Sequence, residues 1–368
     1  MVGCWLSLLA AGCAHVSRPY YPVGIYTSGD TNALGMLGAS GFNTVVGPAT
    51  MVFLDAAKAA GLKVLAQPVG SEGSGLRKPG SRASLARLDC HPALWAWYLS
   101  DEPDRLGVPP EEVRREHLSL RALGARKPTA LVLFKGNEAL DYGRLADITM
   151  VDRYPIPWLP LANFGQHVQM ARLALGPGKP LIAVVQAFDW AYHRDVLGVE
   201  TETRPPTQSE LRCMTYCALA ERANGLFYFT YEDSRWRMAE HAETWAALQA
   251  VVAEVSERRP LFEARHLWWS KRHRFGDPRH GFNEALQSSI TSVLLRVGRG
   301  SDRVPAGDYV LAVNNTDREH VYGFTSPRRG MAQAPVFDED RVVPCRQGWL
   351  TDSFAPYAVH LYGPLPCP

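Results

Sequence analysis

From Tyr20 to about Ala264 the chain alternates short apolar runs with stretches in which apolar residues recur at helical spacing. A short apolar run bounded by turn-forming residues is the mark of a strand buried on both faces. Helical patterns between such runs indicate βα units on a parallel sheet. Eight runs are present, at residues 23–26, 42–46, 62–66, 94–99, 129–134, 147–151, 181–185 and 225–230. Helical patterns fall between them at 32–39, 53–60, 110–123 and 207–223, and a further helix ends near Glu257. Pro110 opens and Gly124 closes the third of these, the usual order of proline and glycine at helix ends. Thr207 and Glu210 have the spacing of a capping box. Eight strand–helix pairs in ~245 residues predict a closed (β/α)8 TIM barrel. An open doubly wound sheet is the competitor, but no glycine-rich phosphate-binding fingerprint follows the first run.

The texture changes after residue 263. Alternating runs at 292–297, 309–313 and 357–362, separated by turn residues, predict a small C-terminal antiparallel β-sandwich. The expected division is therefore a leader and linker at 1–19, a barrel at 20–263 and a β-sandwich domain at 264–368. Within the leader, residues 4–12 form an apolar run too short to span a bilayer and ending in Leu9-Ala10-Ala11-Gly12-Cys13. It resembles a secretory signal with a bacterial lipoprotein cleavage site, which would lipidate Cys13. No Lys or Arg precedes the run, and Leu9 lies one place further from the Cys than in that pattern. An exported protein, periplasmic or at the cell surface and touching membrane only through a lipid anchor, is the resulting expectation.

Composition adds mainly exclusions. Hydrophobic residues make up 46% of the chain, enough for a large core. The net charge of +2, with basic residues dispersed, lacks the footprint of a nucleic-acid binder. Cys213 and Cys217 share one helix face without a second Cys or His pair, so they read as core residues rather than zinc ligands. Cys345 and Cys367 are a candidate disulfide if the chain is exported. No metal or cofactor pattern stands out, and esterase-elbow, P-loop and zinc-protease motifs are missing.

In a barrel of this kind the reacting side chains stand at the C-terminal ends of the strands. That rule selects Tyr26, Gln67, Asp101, Glu102, Lys135, Asp152, Arg153, Tyr154, Gln186, Asp189, Tyr231, Glu232 and Asp233. The sharpest feature is Asp101-Glu102-Pro103 after the fourth run. Glycosidic cleavage needs one carboxylic acid to protonate the leaving oxygen and a second group to attack or stabilise the anomeric centre. Neighbouring carboxylates raise one another's proton affinity, which suits Glu102 to the acid role, and Pro103 biases Glu102 towards an extended backbone. Asp152 and Tyr154 are expected to bind sugar hydroxyls or tune Glu102, unless Asp152 pairs with Arg153. Trp158, Trp190 and Trp236 follow the sixth, seventh and eighth runs and suit sugar stacking or loop burial. Trp268-Trp269 is expected to cement the two domains.

The segment Trp97-Tyr98-Leu99-Ser100-Asp101-Glu102-Pro103 resembles the fourth strand of clan A glycoside hydrolases and of related bacterial glycosidase-like lipoproteins. Val151-Asp152-Arg153-Tyr154-Pro155, Val185-Gln186-Ala187-Phe188 and the run from Arg204 to Arg212 share in it, as does the closing Asp352-to-Tyr362 segment. The resemblance implies a carbohydrate substrate, with Glu102 at the acid/base position, where Asp101 replaces an Asn. The clan's nucleophile is a Glu at the seventh strand end, where this chain has Gln186, and an amide cannot form a glycosyl ester at a useful rate. Three readings follow. Asp189, Glu232 or Asp152 supplies the second carboxylate. Alternatively the reaction is substrate-assisted, with Asp101 orienting an N-acetyl group. Otherwise the barrel is a non-catalytic glycan binder. Tyr26, Gln67, Lys135, Asp152, Tyr154, Gln186, Trp190 and Tyr231 are the expected substrate-binding set.

Overall fold

The computed structural model describes residues 20–67, 82–197, 201–275 and 289–365. Cys13 with its leader, the Gly- and Ser-rich stretch at 70–80 and Cys367 lie outside the described residues. Eight parallel strands close into a barrel: β1 Val23–Tyr26, β2 Thr44–Pro48, β3 Lys63–Gln67, β4 Leu94–Tyr98, β5 Thr129–Leu133, β6 Ile148–Arg153, β7 Leu181–Gln186 and β8 Leu226–Phe229. Each pairs with its sequence neighbour, and β1 pairs with β8 to close the ring. Alternation along each strand sorts two layers. On β5, Ala130 and Val132 point into the lumen with Val46, Met150 and Val184. Leu131 and Leu133 point outward into the helix layer. Gly24 is small for a reason: a Cβ there would stand 2.4 Å from the Phe227 ring that fills the lumen beside it.

The helix layer comprises α1 Leu34–Ala39, α2 Met51–Ala59, α3 Arg82–Asp89, α4 Pro103–Leu106, α5 Pro110–Ala122, α6 Leu161–Leu175, α7 Arg194–Leu197, α8 Gln208–Ala220, α9 Ala242–Glu257 and α10 Arg259–Phe262. The capping box at Thr207 and Glu210 opens α8, and Arg204 grips the same Glu210 carboxylate through both terminal nitrogens. No described helix is long and apolar enough to cross a membrane.

The C-terminal part is a nine-stranded antiparallel sheet: β9 Arg265–Leu267, β10 His273–Phe275, β11 Ile290–Val297, β12 Gly307–Asn314, β13 His320–Thr325, β14 Gln333–Val336, β15 Arg341–Arg346, β16 Trp349–Phe354 and β17 Val359–Leu365. Its order is β10-β13-β16-β15-β14-β17-β12-β11-β9. It curls around its own core of Tyr322, Phe324, Leu350, Phe354 and Tyr362. The opposite face of β11, β12 and β17 presents Val293, Leu295, Leu311, Val313 and Leu361 to the barrel, and these join the barrel's core. Each such aliphatic side chain contributes about 1.5–3 kcal/mol by leaving water. Cys213 and Cys217 are buried beneath this seam, and the Cys213 thiol donates to the Asn314 carbonyl at 3.3 Å. The tryptophan pair divides: Trp269 packs on the sheet core, whereas Trp268 is 84% exposed and cements nothing.

Candidate active site

The β4–α4 turn sets the geometry. Leu99 and Glu102 donate their backbone N–H groups to Ala130 and Val132 of β5, and the Ser100 carbonyl accepts from Val132. Asp104 reaches the same strand end, accepting from the N–H groups of Phe134 and Lys135. Between these ties, Glu102 must turn the chain and begin α4, its carbonyl accepting from Arg105 and Leu106. It does so at φ 42°, ψ 50°, the left-handed region, and not in the extended conformation that a following proline favours. A non-glycine residue there costs on the order of 1–3 kcal/mol, a strain that neighbouring structure sustains mostly at functional sites.

The result is a cleft of about 420 Å³ at the C-terminal mouth of the barrel. Three carboxylates line it: Asp101, Glu102 and Asp152. Glu102 and Asp152 are both buried and hydrogen-bonded to each other. Burial, followed by the charges of Glu102 and Asp101, raises the Asp152 carboxyl well above the usual range, so the pair retains a proton near neutrality. The Arg105 Nε donates to Glu102 Oε2. Asp101 is exposed as a residue, while its carboxyl lines the cleft and bonds to Tyr98. Burial lifts its carboxyl to about 6, while the Tyr98 hydroxyl, donating at 2.6 Å, pulls it back down. Tyr98 and Tyr26 are themselves pushed up by burial and then by the Asp101 charge, so both remain protonated donors.

The rest of the cleft is aromatic. Tyr26, Tyr154, Phe188, Trp190 and Phe229 form a contiguous set of ring contacts with centroids 5.0–6.2 Å apart. Trp158 tilts against Trp190 at the rim. Two polar atoms in this wall, the Trp190 ring N–H and His193 Nδ1, are buried and unbonded among the described residues, as is Asp152 Oδ1.

The expected site residues therefore separate into two groups. Tyr26, Asp101, Glu102, Asp152, Tyr154 and Trp190 line the cleft together. Gln67, Lys135, Gln186, Asp189, Tyr231 and Glu232 are not among its lining residues. Gln186 is fully buried: it accepts from the Ile156 N–H and donates to the carbonyls of Ile156 and Phe188, which pins the loop after β6. Asp189 accepts from the Ala191 N–H and caps the turn that begins at Trp190. Glu232 is held by Ser28 and Arg237. Tyr231 packs on Trp245. Gln67 ends β3, and Lys135 is exposed beside the mouth. Trp236 is buried flat against His241. Asp152 makes no ion pair with Arg153, whose Nε donates instead to Asn163.

Sequence reasoning missed Arg105, Phe134, Phe188, His193 and Phe229 as lining residues. His193 Nε2 lies 2.9 Å from Asp233, a partner visible in the sequence as a strand-end acid. Burial alone would raise Asp233, but bonds from His193 and the N–H groups of Trp236 and Arg235 leave it lowered and ionised. A larger cavity, about 640 Å³, lies between α6, the end of α8 and β11. Of the cations around it, Arg172 is spent on four carbonyl-type oxygens and Lys271 on Ser292, while Arg222 is exposed. It carries no comparable convergence of acids.

No protein-family model matches this chain, and no curated protein matches it in sequence. Solved structures do resemble it. A family 5 glycoside hydrolase from Bacteroides vulgatus is 12% identical with a TM-score of 0.57, covering 94% of this chain and 89% of that one. A family 42 β-galactosidase from G. stearothermophilus is 8% identical, TM-score 0.57, over 93% and 98% of the two chains. An α-amylase from Geobacillus thermoleovorans, solved with acarbose, is 9% identical, TM-score 0.54, over 93% and 97%. What this chain shares with these glycoside hydrolases is an architecture, the eight-stranded barrel followed by a C-terminal β domain.

Proposed function

We propose that this protein is a glycoside hydrolase acting on an oligo- or polysaccharide, with Glu102 as the general acid/base. The observation that carries this reading is the buried, proton-sharing pair of Glu102 and Asp152 in an aromatic cleft at the barrel mouth. A leaving glycosidic oxygen needs a proton held by a carboxyl at neutral pH, and the pair stores one. Ring faces give a sugar its stacking surface, and the unbonded Trp190 N–H and Asp152 oxygen give hydroxyl groups a donor and an acceptor to meet.

The second chemical group is the open part of the mechanism. Asp189, Glu232 and Gln186 are occupied by backbone or neighbouring side chains, and the cleft carboxylates all come from the ends of β4 and β6. This one-sided arrangement favours the substrate-assisted route. Asp101, fixed by Tyr98, orients the acetamido group of an N-acetylated sugar, whose carbonyl oxygen attacks the anomeric carbon as Glu102 protonates the leaving oxygen. The same proposal places the chain outside the cytoplasm, with Cys13 as the lipidated residue. Metabolic labelling with a radioactive fatty acid, compared with Cys13→Ala, tests that part.

A panel of aryl glycosides with and without N-acetyl groups tests the activity. The expected result is hydrolysis of N-acetylated members and a loss of about 10³-fold in kcat for Glu102→Gln, within the usual range for general acid catalysis, with an unchanged melting temperature. No turnover of any member by the unaltered protein would leave a glycan binder that has lost catalysis.

A further inference from the structure

Two cations stand on the carboxylate side of the cleft without a carboxylate of their own. Arg153, at the end of β6, is half-buried in the cleft wall. Its Nε donates to Asn163 Oδ1 at 2.6 Å, and its guanidinium lies 4.9 Å from the centre of the Phe134 ring. Neither partner is charged. Lys135, at the end of β5, is exposed and uses its backbone N–H on Asp104. No ion pair to either cation is found among the described residues, and the acids around them are committed. Asp104 accepts two backbone N–H groups and Glu102 holds Arg105, while Asp152, with Oδ1 unbonded, is kept protonated by burial and the charges of Glu102 and Asp101. The two cations share one neighbourhood: after burial, their charges hold the His167 imidazole down at about 4, so His167 stays neutral and offers no relief.

A partly desolvated guanidinium without a counter-ion is unfavourable for folding. The residues that shield it leave its terminal nitrogens unpaired, and that planar fork matches an oxyanion in two-point contact. We propose that Arg153, with Lys135 at the rim, binds an anionic substituent of the saccharide, a uronic acid carboxylate or a sulfate ester. The anion would sit beside the bond that Glu102 protonates. This rests on the glycosidase reading for its catalytic meaning, but the recognition can be measured without turnover.

The test uses the full chain and its Arg153→Gln and Lys135→Gln variants, with melting temperature as the check on folding. Glucuronate, glucose 6-sulfate, glucose and inorganic sulfate are titrated by calorimetry at low and moderate salt. One of the two acidic sugars should bind at least tenfold tighter than glucose and tighter than inorganic sulfate. The winning sugar tells carboxylate from sulfate ester. Arg153→Gln should abolish the preference, and Lys135→Gln should reduce it together with its salt dependence. Equal binding of all three sugars, or a preference that survives in Arg153→Gln, overturns the proposal. So does binding of inorganic sulfate as tight as that of the acidic sugars. Preference for an acidic sugar in a protein that hydrolyses no glycoside would sink the hydrolase reading while leaving the anion site standing.

Discussion

The barrel mouth has two unlike halves. At the ends of β4 to β6 the polar side chains turn inward on the cleft and on one another: Asp101, Glu102, Arg105, Asp152 and Arg153. At the ends of β7 and β8 the polar side chains are as numerous in sequence, but the structure has used them. Gln186 holds a loop, Asp189 caps a turn, Glu232 bridges Ser28 and Arg237, and Asp233 fastens Trp236 and His193. What lines the cleft on that side is Phe188, Trp190, Val196 and Phe229, with His193 as the one polar side chain left in the wall. The contrast teaches that a strand-end carboxylate is available for chemistry only when backbone N–H groups have not already claimed its lone pairs. A sequence shows the carboxylate but not the claim.

Beyond the loss expected for Glu102→Gln, the largest effect should come from Asp152→Asn. Because the proton belongs to the pair, removing one member leaves Glu102 facing Arg105 alone. The alkaline limb that the raised Asp152 carboxyl gives the pH–rate profile should be lost, with kcat near neutrality down about 10²-fold. An unshifted limb would break the assignment of the two halves. Next, Gln186→Glu restores the residue type expected of a nucleophile, yet should yield no activity. Its carboxylate would replace the amide N–H groups that now meet the carbonyls of Ile156 and Phe188. Leaving two buried carbonyls opposite a charge should cost about 2–4 kcal/mol, read as a lowered denaturation midpoint. A gain in turnover would overturn the structural role of Gln186.

The smallest effect sharpens the comparison through pH. In the unfolded chain Asp101 titrates near its ordinary 3.8, and in the fold near 6, so the fold disfavours its ionised form. The resulting destabilisation is absent below about pH 4 and complete above about pH 6. Discounted for the exposure of Asp101 to solvent, Asp101→Asn should raise the melting temperature by roughly 2 °C at pH 7.5, and by nothing at about pH 3. A gain that is independent of pH would mean that Asp101 acts through packing and not through its charge.

Much of the fold was legible because strands buried on both faces must be apolar throughout, and parallel strands must be separated by helices. Strand ends were placed within about two residues, the usual precision of boundaries read from pattern. The place of Asp101 and Glu102 in the cleft was legible from Asp101-Glu102-Pro103, since those residues follow an apolar run directly. Other features depend on contacts distant in sequence. The left-handed turn at Glu102 is imposed by pairing with Val132, thirty residues away in the chain, and no local preference announces it. Phe188 and Phe229 looked like the ordinary ends of apolar strands. Their meeting with Tyr154 is a product of barrel closure. The C-terminal β domain was recognisable from alternation, but the exposure of Trp268 was not, because neighbouring residues in an extended segment face opposite ways.

The seam between barrel and sheet has a consequence for anyone handling this chain. Since Val293, Leu295, Leu311, Val313 and Leu361 belong to the same continuous core as α8 and the barrel wall, the sheet is not an appendage. Heating should melt both parts in one calorimetric event. A gene truncated after Phe262 should give inclusion bodies and no working minimal barrel, because the α8 surface carrying Leu219 and Cys213 would be left bare. Grafting a different C-terminal domain onto this barrel would require repainting that helix first.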